Sequence, residues 1–290
     1  MNIYATACLL ALNLLPLAAA ESAAAPAPAA AAEPAMLRDA RCGQVLVRCT
    51  MNGVPLRLML DTGATHTVLD PATLAKIPGA QKMDTTGMQF NSSSSRNVPD
   101  IYLMQTEAGG RTFSPHPVLV LPLGGVRQML ATPIDGILGM DVLKHLSFTL
   151  DFRPNGQSHW GEANDGTAIH LNARPDDNYC PMLTVKVGEK EISNVLLDSG
   201  SSATIFAAED WSAGAERTVT VQTADVNGGR AEGMSIGKEM TVELAPGAEQ
   251  QVRPQLRDAK RSDAAGLIGV DTLRGFRLIY SAEKGFYLMK

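Results

Sequence analysis

The sequence predicts an all-β protein made of two related lobes. Three observations carry this. Short apolar runs separated by turn residues recur along the chain, with few helical periods among them. The run Leu58-Met59-Leu60-Asp61-Thr62-Gly63-Ala64-Thr65 has a second copy, Val195-Leu196-Leu197-Asp198-Ser199-Gly200-Ser201-Ser202. A second matched pair lies downstream in the same order: Ile134-Asp135-Gly136-Ile137-Leu138-Gly139-Met140-Asp141-Val142-Leu143 and Ala264-Ala265-Gly266-Leu267-Ile268-Gly269-Val270-Asp271-Thr272-Leu273. Asp141 follows Asp61 by 80 residues and Asp271 follows Asp198 by 73. Matched motifs in one order at similar spacing indicate duplication of a whole domain, and the unit is too long for a solenoid repeat.

Residues 1–20 hold no charged side chain and carry an apolar core from Cys8 to Leu17 before Ala18-Ala19-Ala20. This reads as a secretory signal peptide, although no Lys or Arg precedes the core. The alternative is an uncleaved membrane anchor, because the apolar run from Ile3 to Ala20 approaches spanning length. Either route implies export, to the periplasm or beyond. Residues 21–36 are Ala/Pro-rich, cannot bury a core, and form a spacer expected to be disordered.

Lobe one is expected over 37–153. It opens with a hairpin: Gln44 to Met51, then Asn52-Gly53, then Val54 to Leu60. Asn-Gly accepts the positive φ angles of a tight turn, so the hairpin delivers Asp61 at the end of its second strand. Alternation through Ser147 to Phe152 closes the lobe with a half-buried strand. Residues 154–177 are rich in Gly, Asn, Asp and Pro and read as a linker. Lobe two, over 178–290, repeats the plan: Met182 to Val187, a turn around Gly188-Glu189-Lys190, Ile192 to Leu197, then Asp198. Phe276 to Tyr280 and Gly285 to Leu288 are its closing strands.

Past the leader there are three cysteines, Cys42, Cys49 and Cys180. Cys42 and Cys49 flank an extended run and would stand about 23 Å apart, too far for a bridge. A disulfide from Cys180 to either, tying the lobes together, and three buried thiols are both open readings.

Composition excludes several classes of function. A net charge of −5 on 290 residues argues against nucleic-acid binding. Neither Gly-x-x-x-x-Gly-Lys nor Gly-x-Gly-x-x-Gly is present. The five histidines (66, 116, 145, 159, 170) show no metal-ligand spacing, so neither a metal nor a cofactor is expected. Gly200-Ser201-Ser202-Ala203 is not the Gly-x-Ser-x-Gly elbow of a serine hydrolase.

What remains is a pair of carboxylates. Asp61 and Asp198 each follow three apolar residues, where a carboxylate is costly to bury without partners. Gly63 and Gly200 turn the backbone sharply and let N–H groups approach. Two carboxylates brought together share one proton, the equipment for hydrolysing an amide with an activated water.

Asp61-Thr62-Gly63 with Ile137-Leu138-Gly139, and Asp198-Ser199-Gly200 with Leu267-Ile268-Gly269, resemble the hallmarks of the aspartic proteases, the pepsin and retropepsin clan. The resemblance spans roughly residues 42–290, and the lobes are nearer retropepsin than pepsin length. A fused tandem of retropepsin-like domains, as in bacterial relatives, fits best. The resemblance implies two closed barrels related by a pseudo-two-fold axis, with a cleft between them and Asp61 and Asp198 meeting as a catalytic dyad. It implies that Thr62 and Ser199 form a crossed hydroxyl grip on the opposite lobe. It implies that Ser201, where lobe one has Ala64, bonds Asp198 and gives it the lower microscopic pKa. Flap candidates are Met88 to Val98 and Asp225 to Arg230, and the flap Tyr of pepsin-like enzymes has no counterpart in residues 81–98. Asp141 and Asp271 are read as helix N-caps rather than a second dyad.

The expected function is thus an exported aspartic endopeptidase acting on a peptide or protein substrate as a monomer, with both Asp in cis. A catalytically silent peptide-binding module that kept the fold is the alternative.

Overall fold

The computed structural model of the chain describes residues 34–86, 99–163, 167–207, 235–257 and 264–290, with strand backbone also at 2–5, 10–11, 89–92, 217–225 and 228–234. Most of the expected leader, nearly all of the spacer and most of the first flap candidate lie outside the described residues. The chain is nearly all β.

In the first half, β1 (Val45–Met51) and β2 (Val54–Leu60) form an antiparallel hairpin with Met51 opposite Val54. Asn52 and Gly53 between them have φ of +46° and +79°, the tight turn that Asn-Gly favours. After Asp61 come β3 (Val68–Leu69), the long hairpin of β4 (Asp100–Ala108) and β5 (Arg111–Val120), then β6 (Gly136–Leu138). β6 runs parallel to β2, with Leu138 beside Leu60, and antiparallel to β3. β3 runs parallel to the end of β5, and β4 returns to β1 with Met51 opposite Thr106. These six strands close into a barrel.

The barrel is filled by period-two alternation. Val45, Val47, Cys49 and Met51 of β1, with Leu56, Leu58 and Leu60 of β2, join one core. Leu46 and Met59 point the other way and join a second core with Ile101, Leu119 and Ile137. Leu58, Met59 and Leu60 are fully buried, so both faces of the strand are covered where it delivers Asp61. α1 (Met140–Leu143) follows β6, and β7 (Phe148–Asp151) ends the half.

The second half repeats the order. β8 (Pro181–Val187) and β9 (Lys190–Leu197) form its hairpin, followed by β10 (Ile205–Ala207). Next come β11 (Met240–Ala245), β12 (Ala248–Val252), β13 (Gln255–Arg257), β14 (Gly266–Ile268) and α2 (Val270–Leu273). β14 runs parallel to β9 and antiparallel to β10, and β10 runs parallel to β13, as in the first half. One difference is plain. The β11–β12 hairpin pairs with β8 but does not run on into β13, so this sheet curls without closing. Arg253-Pro254 interrupts the strand there, and Pro254 has no N–H to continue a ladder. The expectation of two closed barrels therefore holds for the first lobe, while the second is a half-barrel.

The halves share a sheet. β15 (Arg277–Ser281) pairs antiparallel with β7, Phe148 opposite Tyr280 and Asp151 opposite Arg277, and with β16 (Gly285–Met289) on its other side. Beneath it the first core runs continuously from Val45 and Leu60 through Phe148 and Leu197 to Leu288.

The three described cysteines are free, buried thiols. Burial pushes Cys42 up to about 11 and Cys49 up to about 12. The lobe-to-lobe disulfide left open by the sequence is not formed. Among the described residues no helix is long and apolar enough to cross a membrane.

Candidate active site

Each Asp of the repeat is delivered by a covered strand and anchored by the downstream motif. The Asp61 N–H donates to the Leu138 carbonyl at 3.1 Å, and the Asp198 N–H to that of Ile268 at 3.0 Å. The apolar-apolar-Gly segments thus extend the sheet up to the first atom of each Asp. Their glycines let the loops cross closely: a methyl on Gly139 would fall 2.5 Å from the His66 backbone, and one on Gly269 2.5 Å from that of Ala203. Both lie below any real carbon contact, so only glycine fits.

Within each turn the carboxylate folds back on its own backbone. Asp61 Oδ1 accepts the N–H groups of Gly63 at 2.8 Å and Ala64 at 3.0 Å. Asp198 Oδ1 accepts those of Gly200 at 2.9 Å and Ser201 at 3.0 Å. Such amide pairs favour the ionised carboxylate. Asp61 and Asp198 are 0 % and 1 % exposed, so these hydrogen bonds act in a low-dielectric setting. The two Oδ2 atoms are buried as well and lie outside the amide cages.

The two turns then interlock. Thr62 Oγ1 donates to the Leu197 carbonyl at 2.7 Å and accepts the Ser199 N–H at 3.0 Å. Ser199 Oγ donates to the Leu60 carbonyl at 3.0 Å and accepts the Thr62 N–H at 3.1 Å. Four buried bonds cross between the halves, each hydroxyl spending both donor and acceptor capacity. The glycines complete the crossing. A methyl on Gly63 would sit 2.6 Å from Asp198 Cγ, and one on Gly200 2.4 Å from Asp61 Cγ. Each carboxylate lies against the bare backbone of the opposite turn.

The residues expected to form and support the pair meet here: Asp61, Thr62 and Gly63 from one half, Asp198, Ser199, Gly200 and Ser201 from the other. Ser201 contributes its N–H to the site. Its hydroxyl donates to the Ala203 carbonyl at 2.8 Å, while its N–H serves Asp198.

Asp141 and Asp271 occupy other places than expected. The N-cap positions of the two short helices fall on Gly139 and Gly269, and both Asp lie inside the first turn. Asp141 accepts the Thr67 hydroxyl at 2.8 Å, and Asp271 that of Thr204 at 2.7 Å. The same hydroxyls accept the N–H of Gly139 and Gly269. Burial pushes the Asp271 carboxyl above its ordinary range, against hydrogen bonds from Thr204. These carboxylates brace the turn loops from behind. Thr67 and Thr204 were missed from the sequence, although each stands six residues after its Asp and superposing the two copies exposes the match.

The second flap candidate is a hairpin in backbone: residues 217–225 and 228–236 pair antiparallel with Asp225 opposite Gly228. Its side chains lie outside the described residues. Among the described residues no group of His, Cys, Asp and Glu is arranged to hold a metal ion.

Residues 47–142 match the family model described as aspartyl protease. That match covers the first Asp motif, the barrel and the first apolar-apolar-Gly segment, and supports assignment to the aspartic protease clan. Comparison with curated proteins gives no match.

Proposed function

We propose that this chain of the aspartic protease clan is an exported endopeptidase that cleaves peptide bonds with a water held between Asp61 and Asp198. The observation that carries the reading is the reciprocal crossing of the two turns. A lone Asp-hydroxyl-Gly turn is explained by its local amide bonds. Two such turns, each seated on the other's glycine and gripped by the other's hydroxyl, bring the two carboxylates into one buried place for no evident structural gain.

In this reading the pair holds one proton, because like charges at about 3 Å do not both ionise cheaply. The ionised member takes a proton from the water as oxygen attacks the scissile carbon. The protonated member gives its proton to the carbonyl oxygen. On collapse the carboxyl that took the water's proton passes it to the departing nitrogen, the C–N bond breaks, and the other carboxylate takes back a proton from a gem-diol hydroxyl, restoring the singly protonated pair. Electrons end on groups of the substrate, and no covalent enzyme intermediate forms. The turn amides at each Oδ1 hold the carboxylates in place, so little reorganisation accompanies the transfer.

The test is cleavage of a denatured protein by the full chain between pH 3 and 7, beside Asp61→Asn and Asp198→Asn. The expected outcome is activity that either change abolishes while both variants stay folded. Activity surviving both changes would sink the mechanism. Peptide binding without cleavage by the unsubstituted chain would favour the silent binding module.

A further inference from the structure

The hairpin registers place one residue opposite each Asp. Leu46 pairs with Met59 and Val47 with Leu58, which brings Gln44 level with Asp61. Met182 pairs with Leu196 and Leu183 with Val195, which brings Cys180 level with Asp198. Gln44 and Cys180 are therefore equivalent by position, though not by chemistry. Both are fully buried.

Both side chains reach into the opposite turn and meet the same atom there. Gln44 Nε2 donates to the Gly200 carbonyl at 3.3 Å. Cys180 Sγ donates to the Gly63 carbonyl at 3.8 Å, a contact length that suits the larger sulfur. The Gln44 amide orientation follows from its partner, since Oε1 facing a carbonyl would set two acceptors against each other. Burial, and after it the carboxylates of Asp176, Asp61 and Asp198, push the Cys180 thiol well above its ordinary value and keep it protonated, as a donor must be.

Each of these carbonyls belongs to a peptide unit whose other end serves a carboxylate. The Gly200 carbonyl shares its plane with the Ser201 N–H, which donates to Asp198 Oδ1 at 3.0 Å. The Gly63 carbonyl shares its plane with the Ala64 N–H, which donates to Asp61 Oδ1 at 3.0 Å. A trans peptide is rigid and points its C=O and N–H in opposite directions, so pinning one end aims the other. A hydrogen bond received at the carbonyl also polarises the unit and strengthens its N–H as a donor.

We propose that Gln44 and Cys180 are a crossed pair of positioning residues: Gln44 aims the Ser201 N–H at Asp198, and Cys180 aims the Ala64 N–H at Asp61, each from the opposite lobe through one peptide unit. The catalytic consequence rests on the endopeptidase reading; the relay itself rests on the geometry alone. A mere filler of this space would be apolar, since a buried amide is costly without a bond to make. The two arms are unequal. An amide N–H is a good donor and a thiol a weak one, so the Asp198 turn is held more firmly than the Asp61 turn.

The test compares the full chain with Gln44→Met, which keeps length without a donor, and with Cys180→Ala and Cys180→Ser. Two readouts are taken: kcat and KM on a denatured protein substrate, and the backbone amide resonances of Ser201 and Ala64. In Gln44→Met, kcat is expected to fall about tenfold with KM nearly unchanged, and the Ser201 amide proton to move upfield with distant amides unmoved. In Cys180→Ala, kcat is expected to fall about threefold with the shift at Ala64, and Cys180→Ser, which restores a donor, to recover both. An unmoved Ser201 resonance in Gln44→Met, or losses accompanied by shifts throughout the lobe, overturns the proposal. If the unsubstituted chain cleaves nothing, the endopeptidase reading fails separately. The amide readout alone then decides: a shift confined to Ser201 upholds the relay and an unmoved resonance ends it.

Discussion

Gly63 and Gly200 show how much a single missing carbon decides. Neither has a positive φ, so neither is needed for backbone freedom. They are needed because the opposite carboxylate occupies the space where Cβ would go. In Gly200→Ala, the added methyl must displace Asp61 or part the turns. Activity is expected to fall by roughly a hundredfold, the cost of an ångström-scale misplacement of a reacting group. Stability should drop by only about 1–3 kcal/mol, the usual penalty of overpacking. Paired kinetics and urea unfolding check this; a loss of structure matching the loss of activity would contradict it. At this scale the sequence is most legible for residues that repeat. Asp61 and Asp198 stand out because a costly side chain recurs after the same apolar run. Asp39 does not, although it is 1 % exposed and accepts the N–H groups of Arg41, Cys42, Ala131 and Thr132. Two of those partners lie in a distant loop, and nothing in the local sequence around Asp39 announces them.

Among the elements, hairpins were legible because Asn52-Gly53 names its own turn. Helix starts were not, because Asp141 looks like a cap until Gly139 is seen to fill that position and Thr67 to claim the carboxylate. The opening of the second barrel was also hidden: Pro254 is visible, but only the pairing of β13 with β10 shows which ladder it breaks. The strand ends of the shared sheet carry a titratable clasp. Asp151, at the end of β7, takes the Arg153 guanidinium at 2.9 and 2.7 Å and the Arg277 Nε of β15 at 3.0 Å. Burial pushes this carboxyl up, but the hydrogen bonds from Arg153 and Arg277 outweigh it and hold it below its ordinary value. A depressed carboxyl contributes stability that is present above its unfolded pKa and lost as pH falls through the folded one. The contribution should therefore be intact at neutral pH and disappear only below about pH 4. Acid unfolding of Asp61→Asn, which removes the proposed activity, is expected to show this loss, and the same protein with Asp151→Asn should show a flatter dependence over that range. Identical acid profiles would rule the clasp out as a source of pH dependence.

At the scale of the molecule, duplication in sequence correctly implied two lobes, but not how they join. Alternation in 147–152 and 276–288 gives half-buried strands without saying that they pair with each other. The result is a joint sheet over a continuous core rather than two beads on the 154–177 linker. Because β7 and β15 complete one another, loss of either half exposes the edge of the other half's strand. Thermal or urea unfolding should give a single transition, coincident by far-ultraviolet dichroism and by tryptophan fluorescence. Two separated transitions would mean that the lobes are energetically independent despite the shared sheet.

That shared sheet has a consequence in time. β15 and β16, over residues 277–289, leave the ribosome well after both Asp motifs, yet they back the halves whose meeting assembles the two Asp. A nascent chain already carrying both motifs still lacks the strands that dock one half on the other. Synthesis itself thus acts as a timer, and the two Asp are locked together only after strands made well behind them have emerged.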